Sequence, residues 1–64
     1  MTRTQSVLLL LEAAYPLTHA DIRHATGMNT GLTSRVLARL MQLDCIRPVN
    51  VEGSRHYEPM GVPA

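Results

Sequence analysis

Apolar and polar positions along the chain fall into three stretches of helical period and one of strand period. In the first stretch, Val7, Leu10, Leu11 and Ala14 share one side of a helix that turns about 100° per residue. Leu8 and Tyr15 flank that stripe, Gln5 and Glu12 lie opposite it, and Leu9 and Ala13 fall off it. Thr2 and Gln5 have capping-box spacing, which starts the helix near Arg3. Tyr15-Pro16 ends it, because proline pushes the preceding residue out of the α region.

The second stretch predicts a helix over 18–26, with Thr18 as N-cap and Asp21 as a negative charge at its positive end. Its inward side runs from Ala20 or Asp21 to Ile22 and Ala25. Gly27 closes it in the left-handed conformation, and Met28 plugs the corner that follows. The third stretch predicts a helix over 29–43, capped by Asn29. Leu32 or Thr33, then Val36, Leu37, Leu40 and Leu43, form its buried face. Arg35, Ala38, Arg39 and Gln42 take the other face, and the chain leaves the helix at Asp44.

After Cys45 the period changes. Ile46, Val49, Val51, Tyr57 and Met60 are the apolar positions of a hairpin over 46–60, turning at Glu52-Gly53-Ser54. Pro48 and Pro59 lack donors, so both strands are expected to be short and at an edge. The last four residues, 61–64, are expected to fray. The whole reads as one α+β domain over 1–64 with an ordered core of about 3–60: three helices, then a two-stranded β-hairpin. The middle pair has the form of a helix-turn-helix with a glycine in its turn.

The third helix opens on Asn29, Thr30, Gly31, Thr33 and Ser34, small polar residues that build little core. In a helix-turn-helix the second helix enters the DNA major groove by its N-terminal end. Small side chains allow close approach there, and hydroxyls and first-turn N–H groups suit phosphates and base edges.

Composition narrows the picture. A chain of 64 residues buries only about 60% of its unfolded surface, so it lacks the core for an enzyme pocket. It has no paired carboxylates, no nucleophile beside a base and no phosphate-binding loop, so the sequence reads as non-catalytic and without cofactor. The lone Cys45 excludes an internal disulfide, reads as a small buried apolar residue, and fits a reducing, cytoplasmic setting. His19 and His24, five apart, do not make a metal site, and His19, His24 and His56 read as surface residues. The apolar run over 7–15 falls short of the roughly 20 residues that span a bilayer, and no export signal is clear. Met1 and the short tail suggest a complete small protein. The net charge is only +1, but all six basic residues are arginine. Arginine suits phosphates and guanine edges, although a GC-rich genome produces the same bias.

Leu17-Thr18, Ile22 with Ala25, Gly27-Met28-Asn29, Arg35 with Leu37 and Leu40, and Gly53, Arg55 and Tyr57 occur in an order that resembles a known family. The pattern is similar to the winged helix-turn-helix of bacterial MarR- and ArsR-type transcription regulators and of small Pap/Fae-type fimbrial regulators. It covers roughly residues 7–60. Asp44-Cys45 stands where that pattern has Gly-Leu, and the long flanking dimerisation helices are missing.

The resemblance implies sequence-specific binding of double-stranded DNA in transcription regulation. Thr30, Gly31, Ser34 and Arg35 would face DNA, Arg39 would reach a phosphate, and Arg55 and His56 would contact DNA from the wing. Arg23 reads as solvated. Four arginines from Arg35 to Arg55 stand against Asp44 and Glu52, a local excess about twice the charge of the whole chain. Such a module binds on the order of micromolar or weaker, so a second copy or a second regulatory protein is expected on DNA. Leu8 and Leu9 mark either a pairing surface or a wider core face. The competing reading is a winged-helix protein-interaction module that never touches DNA. Neither reading involves a membrane or a small-molecule substrate.

Overall fold

Helix α3 (Thr30–Gln42) is the element against which the rest of the chain is built. The computed structural model describes residues 1–61; of the tail expected to fray, all but Gly61 lies outside the described residues. In chain order the elements are α1 (Arg3–Ala13), β1 (Leu17–Thr18), α2 (His19–Thr26), α3, β2 (Ile46–Val51) and β3 (Ser54–Pro59). The fold is α+β, three helices with a small antiparallel sheet in a winged-helix-like arrangement.

The helix boundaries follow from local chemistry. Thr2 and Gln5 form the capping box of α1, and Thr18 and Asp21 form that of α2. Asn29 Oδ1 accepts from the Leu32 amide at 2.8 Å and opens α3. Gly27 ends α2 in the left-handed region at φ 75°. Past the end of α3, Asp44 takes φ 56°, its amide donates to the Met41 carbonyl, and the Cys45 amide donates to the Leu40 carbonyl. These two bonds form a Schellman motif with aspartate where glycine is usual, a residue that tolerates this conformation better than most.

The core is one apolar cluster, aliphatic apart from Tyr57: Val7, Leu11, Ile22, Val36, Leu37, Leu40, Ile46 and Tyr57. Thr33 is fully buried among them, so Thr33 and not the half-buried Leu32 continues the α3 stripe. Its hydroxyl donates to the Asn29 carbonyl at 2.8 Å, so burial leaves no polar atom unpartnered. Met28 and Cys45 are half-buried and pack against the cluster, Met28 in the corner between α2 and α3.

Several expected positions differ. On α1 it is Leu8, not Leu10, that packs against the core beside Val7 and Leu11, and Ala14 and Tyr15 are exposed. The uninterrupted run from Val7 to Leu11 offers apolar groups in every direction, so its pattern did not fix the helix rotation. Ala14 is the C-cap, at φ −148°, and no longer follows the helical projection. On α2 Asp21 is exposed because it serves the cap, and Ala25 is exposed as well. The inward side is Ile22 with His19, Arg23 and Thr26, spaced i, i+3, i+4, i+7 and mostly polar, and Ala20, one of the expected positions, is half-buried beside them. Leu43 and Met60 are exposed at 52% and 48%, since each lies just beyond the element that would have held it against the core.

The sheet has three strands, not two, in the order β1-β3-β2. Leu17 and Thr18 pair with Tyr57 and His56, so β3 is central and β1 and β2 are the edges. Pro59 is tolerated on β3 because β1 stops at Tyr57 and never asks Pro59 for an amide. Across the hairpin, Arg47 faces Glu58, Pro48 faces Tyr57 and Asn50 faces Arg55. The turn is shorter than expected: Ser54 already pairs with Val51 as the first residue of β3, and Glu52 at φ 51° with Gly53 at φ 83° make a two-residue turn with positive φ at both positions, matched to strand twist. The Asn50 Oδ1 accepts the Gly53 amide at 2.9 Å and steadies that turn.

Leu37 is 1% exposed at the centre of the α3 stripe. Leu37→Ala is expected to cost about 2–5 kcal/mol. A domain of this size has only about 0.05–0.15 kcal/mol of stability per residue. Urea unfolding followed by circular dichroism should therefore show a greatly lowered midpoint or loss of the folded baseline; an unchanged midpoint would contradict the central place given to α3.

Candidate nucleic-acid interface

One half of the α3 circumference is buried and the other is wet. Thr30, Gly31, Ser34, Arg35, Ala38, Arg39 and Gln42 are all exposed and fall within about half a turn at 100° per residue. The face therefore follows from the core: fixing Thr33, Val36, Leu37 and Leu40 inward sends these seven outward. Arg35 and Arg39 lie one helical turn apart and form no ion pair among the described residues.

The arginines are not equivalent. Arg47 is bound to Glu58 across the strands at 2.7 Å, so it is not available as the counted fourth cation. Arg35, Arg39 and Arg55 remain unpaired among the described residues. Glu58 lies beyond the 35–55 window in which the excess was counted, and the local positive balance is smaller than that count implied. The two-residue turn sets Arg47 opposite Glu58, whereas the three-residue turn expected from the sequence would have set it opposite Pro59, so the pairing was missed.

Arg55 and His56 do not form one patch. Side chains alternate along a strand, and Tyr57 and Pro59 of β3 are buried. Arg55 thus projects from the helix-facing side of the sheet, past the end of the core, while His56 projects from the other side. Arg55, Pro48, Val49 and Asn50 line a cleft of about 240 Å³ on the wing. His56 pairs with Thr18 of β1 and lies near the start of α2, where its charge acts on Asp21.

Two residues that the sequence assigned to plain surface are engaged. The Arg23 Nε donates to His19 Nδ1 at 3.2 Å, and His19 Nε2 lies 3.0 Å from Ser34 Oγ on α3. Both His19 and Arg23 are half-buried. The i, i+4 spacing of His19 and Arg23 was visible, but Ser34 is 15 residues away and no sequence pattern pointed to it. Asp21 is exposed, and its carboxyl is held below the ordinary carboxylate range. The Thr18 backbone amide is the main cause, followed by the Thr18 hydroxyl, with His56 and His24 adding to it.

On α1, Leu8 is half-buried against the core and Leu9 is 51% exposed. With Met1 and Gln5 they line a second concavity of about 390 Å³, on a different element from the α3 face. Among the described residues no three His, Cys, Asp or Glu side chains gather as metal ligands. No helix there is long and apolar enough to cross a membrane. No protein-family model matches the chain, and comparison with characterised proteins finds no relative.

The α2 start yields a pH prediction. Thr18→Ala is expected to cost about 1 kcal/mol through loss of the cap. Asp21 has its carboxyl depressed in the folded state, so its contribution is complete above about pH 4 and is lost as pH falls through the lowered folded value. The stability gap between the native chain and Asp21→Asn should accordingly narrow on acidification below that range. A gap that widened, or stayed constant down to acid unfolding, would contradict the cap assignment.

Proposed function

We propose that this chain is a winged helix-turn-helix module that binds double-stranded DNA in transcription regulation, with α3 in the major groove. The reading rests on the resemblance of its ordered motifs to the MarR-, ArsR- and Pap/Fae-type regulators, and on Gly31. A Cβ built at Gly31 meets only Asn29 Oδ1, at 3.7 Å, an ordinary contact. Nothing inside the protein requires glycine there, although alanine is the better helix former, by up to about 1 kcal/mol in a helix interior and less in a first turn. A wet, destabilising glycine in the first turn of α3 makes sense where a surface outside the protein must come close.

Thr30 and Ser34 then offer hydroxyls to phosphate or base edges beside Gly31, Arg35 reaches a guanine edge or phosphate, and Arg39 holds the backbone further along. Arg55 contacts the adjacent backbone from the wing, while His56, on the other side of the sheet, takes no part. Three free arginines support weak binding by one copy, so a second copy or a second regulatory protein shares the site.

A second reading has its own support. Exposed Leu9 beside the Met1–Gln5–Leu8 concavity, with a net charge of +1, suits a protein-interaction module. A salt titration with random duplex separates the two, because an adaptor shows no binding even at low salt.

Gly31→Ala is the sharpest test, because the two effects oppose each other. Thermal stability should rise, by up to about 1 kcal/mol, while affinity for duplex DNA in a mobility-shift assay falls. Raised stability with unchanged affinity would remove the close approach. Arg35→Ala and Arg39→Ala should each weaken binding and lower the slope of log affinity against log salt by about one; unaltered slopes would exclude phosphate contact by α3.

A further inference from the structure

The polar stripe of α2 has a direction built into its hydrogen bonds. A guanidinium only donates, so the Arg23 Nε–H makes Nδ1 of His19 an acceptor. In the neutral ring the proton must then sit on Nε2, and Nε2–H donates to Ser34 Oγ. Ser34 therefore spends an oxygen lone pair on His19 and keeps its O–H. That hydroxyl makes no other side-chain hydrogen bond among the described residues, and Ser34 is exposed on the wet face of α3. Thr33, its neighbour, does the opposite and turns its hydroxyl back onto the helix.

We infer that His19 is a positioning residue: held as the Nε2–H tautomer by Arg23, it commits Ser34 to act as a hydrogen-bond donor toward an acceptor on duplex DNA. This deepens the DNA-binding reading and rests on it. Without the Nε2–H donor, the Ser34 hydroxyl is free to rotate and to bond the Thr30 carbonyl one turn back, as serines in helices do. With it, one of the two lone pairs is occupied and Oγ is held toward His19, with no bond to the Thr30 carbonyl among the described residues, which leaves the O–H to an outside acceptor. The ligand chemistry is an acceptor atom, supplied by a phosphate oxygen or by a base edge such as purine N7 or thymine O4. The relay also fixes α2 against α3 on their polar side, where the apolar core does not reach.

The test has a protein arm and a DNA arm. At about pH 8, above the ordinary imidazole range, nitrogen–proton correlation spectra of the ring should show His19 with an unprotonated Nδ1 and a protonated Nε2. Arg23→Leu should release this into a tautomer mixture like that of exposed His24. A wild-type ring protonated on Nδ1, or one already mixed like His24, overturns the inference whatever the DNA result.

In the second arm, anisotropy titrations of a short random-sequence duplex at low salt compare wild type, Ser34→Ala, His19→Ala and the double variant. Each single change should weaken binding roughly two- to tenfold, the worth of one hydrogen bond, and the double variant should be no worse than either. Losses that multiply show that His19 does not act through Ser34 and overturn the inference while the DNA reading stands. Absence of binding by the wild-type chain overturns the DNA reading and the donor role together. Coupling confined to an A·T duplex assigns the acceptor to thymine O4, and coupling confined to a G·C duplex to guanine O6; with equal coupling on both, its loss on a 7-deazapurine duplex assigns the acceptor to purine N7 and its retention there to phosphate.

Discussion

Everything in this small domain depends on α3 burying one side completely. Thr33, Val36, Leu37 and Leu40 point into the cluster, and α1, α2 and the sheet reach the core by packing on or around them. With no disulfide and only two aromatic residues, the chain has little else to hold it together. The same constraint fixes what lies outside. A helix with four inward positions in three turns has no choice about where its hydroxyls and arginines go, so the exposed face is a consequence of the core.

Secondary features serve that helix. The Asn29 cap starts it, and the Asp44 turn stops it and sends the chain directly into β2. β1 is only two residues long, but it makes β3 a central strand and ties the start of α2 to the wing. Thr18 serves both elements, as a strand residue and as the cap of α2. The distance in sequence between the helix-turn-helix and the wing is thus closed by the backbone bonds of β1 together with Ile46 and Tyr57, which the hairpin places in the core.

What could be read from sequence followed from how strongly each residue's options are limited. The caps at Thr2, Thr18 and Asn29, the glycine stop at Gly27 and the position of the turn around Gly53, though not its exclusion of Ser54, rest on short-range chemistry that few other residues supply. The α3 stripe was legible because polar and apolar positions separate cleanly. The rotation of α1 was not, because five consecutive apolar residues present no preferred side. The strand over 17–18 is too short to show alternation. The inward face of α2 was hidden by its own polarity: His19, Arg23 and Thr26 look like solvent residues until the fold brings Ser34 to His19, Arg23 bonds His19 and Thr26 bonds the Ile22 carbonyl. Of the candidate site, the α3 residues were legible. The separation of Arg55 from His56 needed the three-dimensional alternation of β3, anchored on Tyr57 and Pro59.

The central claim is that the wet side of α3, together with Arg55, is the surface a duplex occupies. Amide correlation spectra of the labelled chain, recorded while random-sequence duplex is added at low salt, test this residue by residue. The account predicts shifts concentrated on Thr30, Gly31, Ser34, Arg35, Arg39 and Arg55, with α1 silent. Shifts confined to Leu8 and Leu9, or an unaltered spectrum at saturating duplex, would contradict it.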